Sequence, residues 1–277
     1  MDSSDIGRRG PVVFLWAILA ALAIIGCRKK TSPPAPPGQG AAATKLSVAA
    51  AASTRFAMPE IITEFEKANK GVVVKAVYGA SGTLYSQIAS KAPFDVFLSA
   101  DEHYAVELIK NGHGVGGSIK RYATGRLALW VFNDSPLDVS KGLAALSHES
   151  VKKVAIANPK LAPYGVAAEE ALQKAGVYDS LKDRIVLGEN IAQTAQFVES
   201  GSAQAGVIAL SMVLAPEMKG KGRSWEVPES DHAPIIQSGC VSAYAKDQVL
   251  ADKFLTFMQS ETARAILKRN GFGSPGE

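Results

Sequence analysis

The chain is poor in the residues on which metal and nucleophile chemistry usually depend. It has 2 cysteines and 4 histidines in 277 residues. Neither cysteine belongs to a closely spaced pair, which argues against a thiolate metal site. The histidines, His103, His113, His148 and His232, are scattered. No Gly-x-Ser-x-Gly elbow occurs, so a secreted serine hydrolase built on Ser53 or Ser81 has neither its usual turn nor an obvious base. No Gly-Lys-Ser/Thr follows the glycine-containing turn "GASGTLYS", so a P-loop is excluded. Lys and Arg are spread along the chain and the formal net charge is only +4. Nucleic-acid binding would need a clustered basic face.

What remains is 47% hydrophobic and 20% charged, an ordinary globular composition. The length allows one large domain or two lobes with ample core. The N-terminus reads as a secretory signal: Arg8 and Arg9, then the apolar "PVVFLWAILAALAII" (Pro11 to Ile25), then Gly26-Cys27. The run is too short and wrongly flanked for a comfortable membrane span. Ile24-Ile25-Gly26-Cys27 resembles the bacterial lipobox, where cleavage before the cysteine leaves a thiol that carries lipid. Lipid attachment at Cys27 is therefore expected; an uncleaved anchor is the competing reading, and both place the rest outside the cytoplasm. "RKKTSPPAPPGQGAAAT" (Arg28 to Thr44) reads as an extended tether with too little apolar surface to fold. With Cys27 acylated, Cys240 has no partner and no disulfide is expected. Cys240 sits in the strand-like "IIQSGCVSAY" and reads as a buried small hydrophobe.

From Lys45 onward, strand and helix patterns alternate. "KLSVAAAA", "GVVVKAVYG" and "FDVFLSA" read as strands, separated by the helical "TRFAMPEIITEFEKANK" and "GTLYSQIAS". A second set follows the long strand "RLALWVFND": strands "KKVAIAN", "RIVLGE" and "AGVIAL", with helices "GVAAEEALQKAG" and "NIAQTAQFVESG". "APIIQSGCVSAY" is a second long strand, and two helices close the chain. Alternation of this kind argues for parallel sheets with helices on both faces. Two such sets joined by two long strands predict two lobes, with ligands outside the carboxyl ends of the strands.

Four strand-to-helix turns share one chemistry. They are Ala52-Ser53-Thr54, Ala80-Ser81-Gly82-Thr83, "NPKLAPYG" (Asn158 to Gly165) and Glu189-Asn190-Ile191. Each offers hydroxyls or free backbone N–H groups at a helix start. None has Lys or His at its centre, and Arg55, beside the first, is expected to point elsewhere. Taken singly, each is an ordinary cap or turn. If the four converge, they form a neutral, donor-only pocket suited to a dehydrated oxyanion, because oriented N–H and O–H donors offset the cost of burying its charge. A carboxylate ligand would call for an Arg clamp, which these turns lack.

At these residues the chain resembles the periplasmic molybdate-binding proteins, the substrate receptors of molybdate ABC importers. The resemblance runs from Lys45 to about Phe272 and rests on an ordered series of blocks: "VAAAASTRFAM", "GASGTLYSQI", "APFDVFLSAD", "IANPKLAPYGVAAEEAL" and "AILKRNGF". It implies an α/β, two-lobed periplasmic binding protein fold of type II, with two mixed sheets flanked by helices and a hinge of two crossing strands. The expected division is 1–26 signal peptide, 27–44 lipidated Cys and tether, 45–124 with 233–277 as the first lobe, and 125–232 as the second. Family ligand positions carry over to Ser53 and Ser81, through hydroxyl and backbone, and to Ile191, through its backbone N–H. Thr54 adjoins Ser53 in the same motif as a further donor. In the "APxG" turn one branch of the family uses a backbone N–H, and a second has Tyr, as Tyr164 stands here. One departure is Ala209, at the position where the first branch has a late Tyr; it places the chain near the second branch.

The resemblance implies a non-enzymatic, lipid-anchored, monomeric receptor for molybdate and tungstate, in the periplasm or on the outer face of the cytoplasmic membrane. Its expected partners are the anion, an importer permease and, through the lipid, a bilayer. No cofactor and no direct protein–metal ligation are expected. Sulfate or another oxyanion is the alternative ligand, to be separated by cavity size. His232, near the expected hinge, reads as a surface residue.

Overall fold

The computed structural model describes residues 43–275. The signal segment, Cys27 and nearly all of the tether lie outside the described residues. Among the described residues no helix is long and apolar enough to cross a membrane.

The first pass of the chain is β1 (Thr44–Ala51), a 3-10 turn (Ala52–Thr54), α1 (Met58–Ala68), β2 (Val72–Gly79), α2 (Ser81–Ala89), β3 (Val96–Ser99), α3 (Glu102–Lys110) and β4 (Lys120–Gly125). The second is β5 (Leu127–Phe132), β6 (Val154–Ala157), α4 (Pro163–Lys174), α5 (Tyr178–Leu181), β7 (Ile185–Gly188), α6 (Ile191–Glu199), β8 (Ala205–Ala209), α7 (Leu210–Val213) and β9 (Gly222–Glu226). The chain then returns through β10 (Ile235–Val241) and ends in α8 (Gln248–Met258) and α9 (Glu261–Arg269).

The strands form two five-stranded sheets, ordered β2-β1-β3-β10-β4 and β7-β6-β8-β5-β9. In each, three strands run parallel, as the alternation of strands and helices requires. The sheets are nevertheless mixed, as the family resemblance implies. β10 runs antiparallel to β3 and β4, and β5 runs antiparallel to β8 and β9. Each sheet thus takes in one strand that has just crossed from the other, and that strand enters against the direction of the rest. The crossings are short: Arg126 alone separates β4 from β5, and residues 227–234 join β9 to β10.

Cores form where the amphipathic helices cover these sheets. In the first lobe Phe65 of α1 is fully buried and meets Phe254 of α8 edge to face at 5.0 Å. Leu84, Ile88, Phe97 and Cys240 fill the other face. Cys240 is fully buried on β10, and burial pushes its thiol up to about 12. In the second lobe Trp130, Ile156, Leu172 and Val207 pack together. Each fully buried large apolar side chain contributes about 1.5–3 kcal/mol. The second lobe's cluster continues across the cleft to Ala51, Ala52, Ala80 and Ala100 of the first, so the lobes are closed on one another.

Two strands, β4 and β9, are absent from the sequence reading, which starts the first crossing strand at Arg126. The strand in fact begins at Lys120 in the other sheet and is broken only at Arg126. A second correction concerns His232. It is not a surface residue but is buried, 9% exposed, with Nε2 lacking a partner among the described residues. The cause is the packing of the second crossing on α4: the Ala233 N–H donates to Glu170 Oε2 at 2.7 Å, and Lys174 pairs with Asp231 at 3.2 Å.

Candidate anion-binding site

The four turns converge. A small cavity lies between the lobes, lined by Ala51, Ala52 and Ser53 at the end of β1, and by Gly79, Ala80 and Ser81 at the end of β2. Ala100 follows β3, Ala162, Pro163 and Tyr164 follow β6, and Ile191 follows β7. Every contributor sits at the carboxyl end of a parallel strand. Among the described residues, no charged side chain lines the cavity. Arg55 stands aside with its guanidinium stacked over Phe56, 5.1 Å from the ring centroid. It lines a separate groove with Glu199 and Glu217.

Two of the helices that start at this cavity lack a side-chain cap. Asp101, Asp247 and Ser260 each cap their own helix, accepting a backbone N–H of the first turn. At the cavity the cap positions of α2 and α4 are Ala80 and Ala162, which have no side-chain acceptor. Ser81 is therefore not a cap; it is the first residue inside α2. In the fourth turn Asn190 caps α6, but it accepts from the N–H groups of Ala192 and Gln193. Among the described residues the Ile191 N–H has no hydrogen-bond acceptor. These uncapped amides are the positive ends of helices, each contributing about 0.3–1 kcal/mol to an anion placed there.

The hydroxyls are oriented by their neighbours. Ser81 Oγ accepts from the Ala100 N–H at 2.9 Å, which leaves its own proton for the cavity. Tyr164 is 2% exposed, and its hydroxyl accepts from Gln237 Nε2 at 3.3 Å. Burial holds this phenol well above its ordinary range, the Ser53 hydroxyl partly offsetting the effect, so it is a neutral donor at any physiological pH. Ser53 Oγ donates to Gln237 Oε1 over a long 3.5 Å, a weak bond that an anion can replace. Thr54 is different. Its hydroxyl donates to the Ala51 carbonyl at 2.8 Å, and it does not line the cavity. Its single proton is committed to the 3-10 turn. Ala209, buried at the end of β8, is also absent from the lining, and Tyr164 is the phenol at the cavity.

Two hydrogen bonds cross between lobes at the rim. The Gly82 N–H donates to the Leu161 carbonyl, and Ser211 Oγ donates to the Ser53 carbonyl, each at 2.9 Å. Three residues here escaped the sequence reading: Gln237, Tyr122 and Ser211. Gln237 carried a usable signal, an amide within the apolar run of a strand. Tyr122 and Ser211 carried none, since one lies in the unread β4 and the other follows a strand as countless serines do.

The chain matches the family of bacterial extracellular solute-binding proteins over residues 46–273. It is 38% identical to the molybdate-binding protein ModA of Azotobacter vinelandii over 233 residues, 84% of this chain and 91% of that protein. It is 29% identical to the putative ABC transporter substrate-binding lipoprotein YvgL of Bacillus subtilis, over 94% of this chain and 96% of the relative. Among solved structures, the periplasmic molybdate-binding protein of Azotobacter vinelandii superposes with a TM-score of 0.77 at 31% identity, covering 83% of this chain and 99% of that one. The two-lobed mixed-sheet architecture, the closed interlobe cavity and a match spanning nearly the whole described chain agree: this chain belongs to the bacterial extracellular solute-binding protein family.

Proposed function

We propose that this protein captures molybdate, and with it tungstate, outside the cytoplasm and delivers it to the permease of an ABC importer. The observation that carries the reading is the cavity lining. Ser53, Ser81, Tyr164 and the Ile191 N–H offer donors, and no charged side chain joins them. A tetrahedral dianion freed of water accepts from all sides and offers no proton. Each charge-assisted hydrogen bond contributes about 1.5–3 kcal/mol, enough in sum to offset the lost hydration. A phosphate that keeps a proton would need an acceptor, and no carboxylate lines the cavity to supply one. Sulfate fits the charge but is smaller, so donors set for the larger ion reach it with stretched bonds. Relatives support the choice, since the Azotobacter proteins matched in sequence and structure are molybdate binders.

The protein is a receptor and not an enzyme. It needs no cofactor, because the donors reach the anion's oxygens and not its metal. Lipidation of Cys27 would hold the receptor at the membrane as a monomer, and the lipoprotein named among its relatives supports that anchor. Calorimetric titration with molybdate, tungstate, sulfate and phosphate tests the reading. Tight binding of the first two only is the expected result; preference for phosphate would refute it.

A further inference from the structure

Gln237 is fully buried in β10, the strand that returns from the second lobe to the first. Buried amides are retained where their hydrogen bonds are used, and this one joins the two halves of the cavity. Its Nε2 donates to the Tyr164 hydroxyl of the second lobe at 3.3 Å. Its Oε1 faces the Ser53 hydroxyl of the first lobe at 3.5 Å and the Tyr122 hydroxyl at 3.2 Å. Tyr122 is itself buried and reaches the Ser99 carbonyl at 3.2 Å.

We infer that Gln237 is the positioning residue of the anion site, which aims the Tyr164 proton into the cavity and holds Ser53 ready to release its own. The argument is one of proton count. A phenol has one proton and can accept from a neighbour. While Nε2 occupies the acceptor side of Tyr164, the phenolic proton is not spent on Gln237, and the Ser53 hydroxyl is the neighbouring group an anion would displace from it. On the other side, the 3.5 Å bond from Ser53 to Oε1 keeps that hydroxyl satisfied when the cavity is empty. It is long enough to be exchanged for a stronger charge-assisted bond. The backbone leaves room for this arrangement. At Gly125, the last residue of β4, an added Cβ would stand 2.4 Å from the Tyr164 hydroxyl and 2.9 Å from Gln237 Nε2. A side chain at position 125 would push the pair apart.

The inference rests on the oxyanion reading, and the test keeps the two separable. Molybdate affinity is measured by calorimetry for the wild-type protein, Gln237→Met, Tyr164→Phe and the double variant, with Ser81→Ala as a control for the cavity. Gln237→Met should weaken binding at least about tenfold, near the loss from Tyr164→Phe. The double variant should lose clearly less than the product of the two single losses, because both remove one aimed proton. Gln237→Glu keeps size and the acceptor oxygens but takes the phenolic proton for itself, and should weaken binding about a hundredfold or more. Should Gln237→Met fail to fold, Gln237→Glu alone decides. Wild-type affinity in either folded Gln237 variant, or losses that simply multiply in the double variant, would overturn the inference. If Ser81→Ala and Tyr164→Phe still lose affinity, the oxyanion reading stands without it. Absence of molybdate binding by the wild-type protein would overturn both.

Discussion

The Gly82 N–H of the first lobe donates to the Leu161 carbonyl of the second at 2.9 Å. Gly82 sits one residue beyond Ser81, and Leu161 three before Tyr164, so this bond latches the lobes at the edge of the cavity. The contact needs glycine for space: a Cβ at position 82 would lie 2.7 Å from the Tyr104 hydroxyl and 3.1 Å from the Leu161 carbonyl. Gly82→Ala is expected to hold the lobes apart and weaken molybdate binding at least tenfold, on the scale of one lost charge-assisted bond of about 1.5–3 kcal/mol. Thermal unfolding of the free protein should change little, because alanine suits a helix start better than glycine does. Calorimetry and a melting curve on the same sample separate the two effects.

Ser81 and Thr54 make a paired test. Both are buried hydroxyls beside helix starts, but only the Ser81 proton is free for the cavity. Ser81→Ala should weaken molybdate binding by about 1–3 kcal/mol. Thr54→Val keeps the shape and loses only the bond to the Ala51 carbonyl. It should leave affinity within about threefold of wild type and cost about 1 kcal/mol of stability. Equal affinity losses in the two variants would contradict the assignment of donors.

Gly125→Ala tests the seat of Tyr164. The added Cβ cannot share space with the phenolic oxygen, and a fixed hinge backbone cannot easily yield. The expected outcome is a stability loss of about 1–3 kcal/mol from overpacking, together with weaker binding, read by denaturant unfolding and by titration.

Three buried groups set the alkaline limit. Burial raises the Cys240 thiol from 9.0 to about 12, and raises the phenols of Tyr122 and Tyr164 above 10.0. A raised value in the folded state favours the protonated form. The stability these groups contribute is therefore complete below their unfolded values and is lost as pH rises through the folded ones. Melting temperature should fall as pH climbs from about 9 toward 12, and Cys240→Ala should flatten the first part of that fall. The same burial makes the thiol unreactive: iodoacetamide should label Cys240 only after unfolding. Rapid labelling of the native protein would contradict its placement.

Much of this was legible in the sequence because the parallel strands and their helices carry strong periodicity. β1, β2, β3, β6, β7 and β8 were each readable as short apolar runs ending in a turn, and the turns are the site. β4, "KRYATG", and β9, "GRSWE", were not. The first has two charges and no apolar run, although four of its residues are buried by tertiary packing. The second is a sheet-edge strand with mostly exposed side chains. Propensity is weak where neighbours decide. The convergence of the four turns was likewise invisible, since it depends on how the two crossings set one sheet against the other. Thr54 and His232 show the same limit at single residues. A hydroxyl's partner and a loop residue's burial are properties of packing, not of spacing.

The central claim is that one anion sits among Ser53, Ser81, Tyr164 and Ile191. The most direct measurement is a crystal of the protein grown with molybdate, with data collected at the molybdenum absorption edge. The account predicts a single strong anomalous peak in the cavity between these four residues, with the anion's oxygens on their hydroxyls and N–H groups. A peak in the groove beside Arg55, or none between the lobes, would contradict it.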